Sequence, residues 1–275
     1  MMAHDLTHRQ KCVCGASSGR AGPGRGSIWA LVEAALHLTP PEYALALAVV
    51  GLGAAVQGSV GFGANLLAVP VLAVLEPTAV PATLTLLAIP LAAGVARREL
   101  HRVDWAGVAW IMLGRLPGTV LGAVVVASVA GDTLSVLAGS GVLVAVGLSL
   151  VAATVRVTRG TTMAAGVASG AMGTATSIGG PPLALLYQHH EGPTLRGTLA
   201  VTFGVGTLVS LGGQAAADAL APWHVALALA LVPGSVAGLW LSGRLARRLD
   251  GPWLRPAVLA LAAVAALAAV VRGLA

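Results

Sequence analysis

The chain has very few charged residues for its length. Asp, Glu, Lys and Arg make up only 9% of its 275 residues, against about 25% in ordinary soluble domains. Long apolar runs separate these charges, which predicts an integral membrane protein. The arginines occur singly or in short clusters between apolar runs, as in membrane loops. No soluble basic face is visible, so nucleic acid is not predicted as a partner.

Cysteine is scarce as well, and the apolar part of the chain has none. Cys12 and Cys14 lie in a polar N-terminal tail, near His4 and His8. These four side chains form a loose metal-like pattern, but a tail with accidental ligands is the simpler interpretation. We therefore predict neither a metal site nor a prosthetic group.

Carboxylates are missing from the middle of every apolar run, and acidic residues such as Glu76 and Asp218 fall at segment ends. A proton relay through a buried acid is therefore not predicted. Arg115, in contrast, lies near the middle of a run, where an arginine costs about 2.5–3.5 kcal/mol on insertion scales. It is expected to face a cavity or a partner. The alternative is that it bonds helix-end carbonyls or reaches the membrane interface.

Two apolar stretches are interrupted by glycine in a similar way. They are residues 57–65 (QGSVGFGAN) and residues 174–182 (TATSIGGPP), and a shift of 116 positions places Gly63 on Gly179. The same shift places Pro117-Gly118 on Pro233-Gly234. A single spacing at separate places predicts an internal duplication in which a broken membrane segment opens each half.

The predicted fold is all-α, a polytopic membrane protein of about eight transmembrane segments. A polar tail with an interfacial helix at Ser27–Thr39 occupies residues 1–41, and the two repeats occupy residues 42–158 and 159–275. The halves are expected to be inverted, because equivalent loops have opposite charge bias. The loop at 97–102 is basic whereas its equivalent near Asp218 is not, and the next pair of loops reverses this bias. Whether each broken segment crosses or returns is left open.

The breaks are the candidate functional site. Unwound backbone is tolerated in a membrane only inside protein or beside a watery cavity, and a helix that starts there presents N–H groups and partial positive charge to an anion. The alternative is that the glycines only allow close helix packing. The candidate substrate-binding residues are Gln57, Gly61, Gly63, Asn65, Arg115, Thr176, Ser177, Gly179, Gly180, Pro181, Pro182 and Arg196.

Both stretches resemble the signatures of the TauE/SafE family of probable sulfite exporters. Residues 57–63 (QGSVGFG) with 66–70 (LLAVP) are similar to the first signature. Residues 173–183 (GTATSIGGPPL), with Arg196 downstream, are similar to the second, and residues 116–122 also fit. The resemblance covers roughly residues 43–272. It implies a carrier that moves sulfite, sulfonates or related small anions across the cytoplasmic membrane.

We therefore predict a multi-pass secondary transporter of the cell membrane whose partners are a small anion and the lipid bilayer. Homo-oligomer formation is left open. An intramembrane hydrolase is one alternative, since Ser169 lies in a GxxSG pattern and His189 and His190 follow. The other is a membrane scaffold that transports nothing.

Overall fold

The structure, a computed structural model, describes residues 37–129, 133–150, 155–245 and 254–274. Within these ranges the chain forms helices and no strands. The α-helices are α1 (Pro40–Val60), α2 (Ala64–Leu75), α3 (Ala82–Glu99), α4 (Trp105–Ala127), α5 (Thr133–Leu150), α6 (Arg159–Thr176), α7 (Gly180–Tyr187), α8 (Gly192–Ala216), α9 (Pro222–Leu245) and α10 (Leu254–Leu274). Two 3₁₀ turns, Pro77–Ala79 and Leu100–Arg102, flank α3.

Several predictions concern residues outside the described ranges. The tail with Cys12 and Cys14, most of the segment Ser27–Thr39, and the loop residues Asp132 and Arg247 belong to this group.

The helix ends follow from the local sequence. The Thr39 N–H donates to Glu42 Oε2 (2.9 Å) ahead of prolines in the first turn of α1. The Gly107 N–H donates to Asp104 Oδ1 (2.9 Å) at the start of α4. Such caps satisfy N–H groups that the first helical turn leaves without partners. Polar residues at segment ends therefore fix where the apolar helices begin.

Length and composition make this a polytopic membrane protein. Four described helices are long and apolar enough to cross a bilayer, namely Pro40–Val60, Trp105–Ala127, Gly192–Ala216 and Pro222–Gly243. Shorter apolar helices are Ala64–Leu75, Val136–Leu150 and Leu259–Leu274. The all-helical class is thus confirmed, whereas the number of crossings stays a prediction.

The two breaks have the same backbone conformation at their first residue. Gly61 ends α1 with φ 99° and Ser177 ends α6 with φ 60°, both in the left-handed region. These positions are 116 residues apart. The helices that follow, α2 with 12 residues and α7 with 8, are shorter than the ~20 residues that a crossing needs.

The first broken segment folds back on itself. The Ala64 N–H, at the start of α2, donates to the side-chain oxygen of Gln57 in α1 (3.3 Å). Helices α1 and α2 then pack along each other, as do α6 and α7. Each short helix is therefore covered by the long helix before it, which shields the unwound residues between them from lipid.

The main contacts between residues 40–150 and 159–274 come in pairs. Within each pair, one contact becomes the other when every helix is replaced by its equivalent in the other half. Helix α4 packs on α6, and α9 packs on α1. Helix α4 also contacts α8, and α9 contacts α3, while α3 pairs with α8 and α5 pairs with α10. Two halves of the same architecture, packed about a common axis, would give this pattern.

Glycine allows the close contact between α4 and α6. A Cβ atom at Gly118 would collide with the carbonyl oxygen of Val167, and Gly114 and Gly122 meet the same helix one turn away on either side. Small residues at such positions let helix backbones approach each other in membranes. These glycines therefore serve helix packing.

Charged and polar contacts also show which helix ends lie together. Arg98, at the end of α3, donates to the Gly58 carbonyl (3.0 Å) and to Ser242 Oγ (3.3 Å), near the ends of α1 and α9. At the other end, Tyr43 OH donates to the Ala230 carbonyl (2.7 Å). The basic turn after α3 and the end of α9 thus share one face, while the turn at Asp218 before α9 lies at the opposite face.

We expect Gly118→Val to destabilise the protein and Gly147→Val to leave it nearly unchanged. A side chain at Gly118 would push α4 from α6, whereas a Cβ at Gly147 would have no neighbour within 4 Å. Overpacking of this kind costs about 1–3 kcal/mol. The measurement is the melting temperature of each purified variant in detergent. Equal melting temperatures would contradict the close approach of α4 and α6.

A second prediction concerns sidedness. In a background with Cys12 and Cys14 replaced by serine, an impermeant maleimide should label Asp218→Cys in intact cells. It should reach His101→Cys only after permeabilisation, because basic loops stay on the cytoplasmic side. Both positions are exposed. Equal labelling of the two cysteines in intact cells would rule out their assignment to opposite faces.

Candidate functional site

The two helix breaks contact each other. The Asn65 side-chain amide, in the first turn of α2, donates to the Ser177 carbonyl in the second break (2.7 Å). A Cβ atom at Gly180 would lie 3.1 Å from Phe62 Cβ of the first break. The structure therefore brings together two stretches that lie far apart in the sequence.

A cavity of about 60 Å³ lies at this meeting point. A single water needs about 10–15 Å³ of such space, so the cavity has room for roughly four water-sized groups. Both breaks, α3, α4, α6 and α8 supply its walls. The lining residues are Gln57, Phe62, Gly63, Asn65, Leu66, Thr85, Ala88, Arg115, Gly173, Ser177, Ile178, Gly179, Gly180, Pro181, Phe203, Thr207 and Ser210.

Arg115 supplies the positive charge of the cavity. It lies in the middle of α4 and is 3% exposed. One terminal nitrogen donates to Ser169 Oγ (2.7 Å), and the other makes a long contact with Ser210 Oγ (3.4 Å). Its Nε is buried without a protein partner. The guanidinium thus keeps donor capacity that the described residues do not use.

Ser169 fixes the guanidinium against the second break. Its hydroxyl accepts from Arg115 and donates to the Gly179 carbonyl (2.7 Å). Gly179 is the cap of α7, so one hydroxyl links the arginine to the start of that helix. A Cβ atom at Gly179 would come within 2.9 Å of Ser169 Oγ. Glycine at this position therefore leaves room for the serine and the arginine.

A hydrogen-bonded group of neutral side chains continues from the cavity. Gln214 Nε2 donates to Thr85 Oγ1 (3.1 Å) and to the Thr174 carbonyl (2.9 Å). Ser177 Oγ lies 2.6 Å from Thr85 Oγ1, and Thr174 Oγ1 donates to Ser210 Oγ (2.9 Å). This group connects α3, α6 and α8 to the strained residue at the second break.

Most of the residues that the sequence identified line the cavity, but four do not. Gly61 caps α1, Thr176 Oγ1 donates to the Met172 carbonyl (2.8 Å), and Pro182 is buried within α7. The fourth, Arg196, donates through Nε and one terminal nitrogen to Glu99 Oε1 (3.0 and 2.8 Å). That ion pair joins the start of α8 to the end of α3.

Local sequence patterns do not identify several residues that contact Arg115, line the cavity or belong to the neutral group beside it. The sequence presents Ser169 only as a small packing residue or a candidate nucleophile, and it does not mark Thr85, Phe203, Thr207, Ser210 or Gln214 as site residues. The sequence does contain a signal for three of these residues, namely their spacing. Thr207, Ser210 and Gln214 recur at helical spacing on one face of α8, which marks a polar stripe turned toward the protein interior.

The environment of Ser169 differs from that of a catalytic serine. Its hydroxyl contacts Arg115 and a backbone carbonyl. The ring of His190 lies against Tyr187 (4.9 Å between centroids), at the far end of α7. Among the described residues, no cluster of three His, Cys, Asp or Glu side chains is placed to hold a metal ion.

Comparison with known proteins identifies the family. A family model described as "Sulfite exporter TauE/SafE" matches residues 43–269. No curated protein and no solved structure matches the chain. The match covers both breaks, Arg115 and every other residue that lines the cavity. The chain therefore belongs to the TauE/SafE sulfite exporter family of membrane transporters.

Proposed function

We propose that this protein carries a small oxyanion, sulfite or a closely related sulfur oxyanion or organosulfonate, across the cytoplasmic membrane. The observation that supports this best is Arg115, a buried cation that faces a cavity and contacts only neutral groups. A planar guanidinium can grip two oxygens of one anion at once. Its free Nε and weakly held terminal nitrogen are the donors assigned to the substrate.

The start of α7 is the second part of the proposed site. Ile178, Gly179, Gly180 and Pro181 line the cavity where this helix begins. The first N–H groups of a helix carry partial positive charge and lack intrahelical partners. Pro181 and Pro182 have no N–H, so the backbone donors at this helix start are those of Gly179 and Gly180. Arg115 and the start of α7 therefore present positive potential to the same space.

The size of the cavity bears on the substrate class. About 60 Å³ at roughly 15 Å³ per water-sized group suits an anion of four or five heavy atoms, such as sulfite. Phe62 and Phe203 form apolar walls beside the polar groups. An organosulfonate would need these rings to move, so we rank inorganic sulfur oxyanions first.

The proposed mechanism is alternating access between two inverted halves. Its support is the 116-residue repeat, the exchanged helix contacts, and the meeting of the two breaks around one cavity. A site at the interface of inverted repeats can open to either side when one half moves against the other. We assign Gly61 and Gly63 to shaping the first break and Gly179, Gly180, Pro181 and Pro182 to shaping the second.

Helix α3 of the first half packs on α8 of the second half, and the two helices are joined near both ends. One junction is the Glu99–Arg196 ion pair, whose side chains are 15% and 25% exposed. The other is the neutral contact between Gln214 and Thr85, which are buried. We propose that these junctions close the two entrances, so that opening one entrance requires breaking the junction beside it.

We expect Arg115→Lys to weaken anion transport and Arg196→Lys to change it little. Lysine keeps the charge but loses the planar fork, and one lost hydrogen bond to a charged group is worth about 1.5–3 kcal/mol, or roughly tenfold or more in affinity. Lysine at position 196 still pairs with Glu99. The measurement is the concentration dependence of labelled sulfite uptake into proteoliposomes at matched protein content.

The same experiment tests whether the substrate contacts Arg196 rather than Arg115. If Arg196→Lys impairs apparent affinity while Arg115→Lys matches wild type, the substrate contacts Arg196 and the cavity at the breaks is not the site. If sulfite, thiosulfate, sulfate and small sulfonates all fail to show protein-dependent uptake with wild type, the proposed function itself is wrong.

A further inference from the structure

The charge of Arg115 has no fixed counter-charge in the part of the chain that the structure describes. No Asp or Glu is among the described residues that line the cavity. Of the acids on or beside α3 and α4, Glu99 binds Arg196 (2.8 Å), and Asp104 accepts from Tyr187 OH (2.8 Å). Glu191 faces Arg102 at 3.8 Å on the surface. Ser169 and Ser210, which do touch the guanidinium, are neutral. The described residues around the cavity therefore carry a net positive charge unless an anion enters it.

This charge affects the loaded and the unloaded carrier differently when each changes the side to which its site is open. A carrier that alternates its access passes through a state in which the site is closed to both sides. Closing the site around a lone guanidinium removes the charge from water without compensation, which is strongly unfavourable. Closing it around a guanidinium with a bound anion is easier, because the pair has little net charge. The loaded carrier should therefore change its access much faster than the unloaded one.

We propose that this protein is an anion exchanger, in which an anion leaves one side only as another anion enters from the other side. This inference rests on the proposed function, since it describes how the same site cycles. One anion moves out and one moves in on each cycle. When both have the same charge, no net charge crosses the membrane. Arg115 enforces the coupling because the unloaded site rarely passes through the closed state.

The test uses the full-length protein in proteoliposomes loaded with labelled sulfite. Efflux is measured into buffer whose only anion is gluconate, which is too large for the cavity, and into the same buffer with unlabelled sulfite added. Potassium on both sides with valinomycin prevents a voltage from limiting the flux. We expect external sulfite to speed efflux at least about tenfold, which corresponds to about 1.4 kcal/mol in the barrier.

The outcomes separate this inference from the proposed function. Protein-dependent efflux at equal rates with and without external sulfite would overturn exchange and leave anion transport standing. An absence of protein-dependent flux in either direction, with sulfite, thiosulfate or sulfate, would overturn the proposed function itself. Protein-dependent efflux that is slow in gluconate buffer and is accelerated when sulfite is added to that buffer supports both.

A matched pair of variants tests the cause. Ser210 is 1% exposed, and its Oγ lies 3.4 Å from the Arg115 guanidinium. Ser210→Asp supplies a fixed negative charge there, whereas Ser210→Asn has a similar size without the charge. In sulfite-free gluconate buffer, Ser210→Asp should melt at a higher temperature than Ser210→Asn, and added sulfite should raise the melting temperature of Ser210→Asn only. If Ser210→Asp melts no higher than Ser210→Asn without sulfite, Arg115 does not lack a counter-charge and exchange by this mechanism is excluded.

Discussion

Backbone N–H and C=O groups have no water to bond with in the hydrocarbon layer, and this constraint explains where the unwound residues of the chain lie. Both helix breaks are enclosed by other helices, and each contacts the other across a small cavity. The short helices α2 and α7 pack on the long helices before them, which covers the turns. Unwound backbone and polar side chains are not tolerated against lipid, so they occur together around the cavity inside the protein.

The local pattern of the sequence is sufficient to locate both breaks. Glycines beside polar residues, repeated at one spacing in two apolar runs, predict a break in each, so residues 57–65 and 174–182 can be identified without knowledge of their neighbours in the fold. A lone arginine in an apolar run can also be identified from the local sequence, because its free-energy cost in lipid implies that it faces a cavity. Eight of the twelve predicted site residues line the cavity, among them Gly63, Gly179 and Arg115.

The remaining part of the site depends on which helices are neighbours, and a local pattern does not contain that information. Arg196 and Glu99 are 97 positions apart, and nothing near either residue indicates their pairing. Ser169 and Ser210 resemble the small residues that pack membrane helices everywhere. They acquire a role only when α4, α6 and α8 converge on Arg115. Its position after the second broken segment and the resemblance to a family both make Arg196 a candidate, but its partner is apparent only in three dimensions.

Helix α1 packs on α9, which lies late in the chain, so this contact cannot form until α9 has been synthesised. Ser59 and Ser242, which meet where these helices end, are 183 positions apart in the chain. At the usual elongation rate of about 5–20 residues per second, α1 waits roughly 10–40 seconds for its partner to be made. During that interval its glycine-bearing face must be covered by lipid or by an insertion factor. The contact between α1 and α9 therefore forms only after most of the chain has been made.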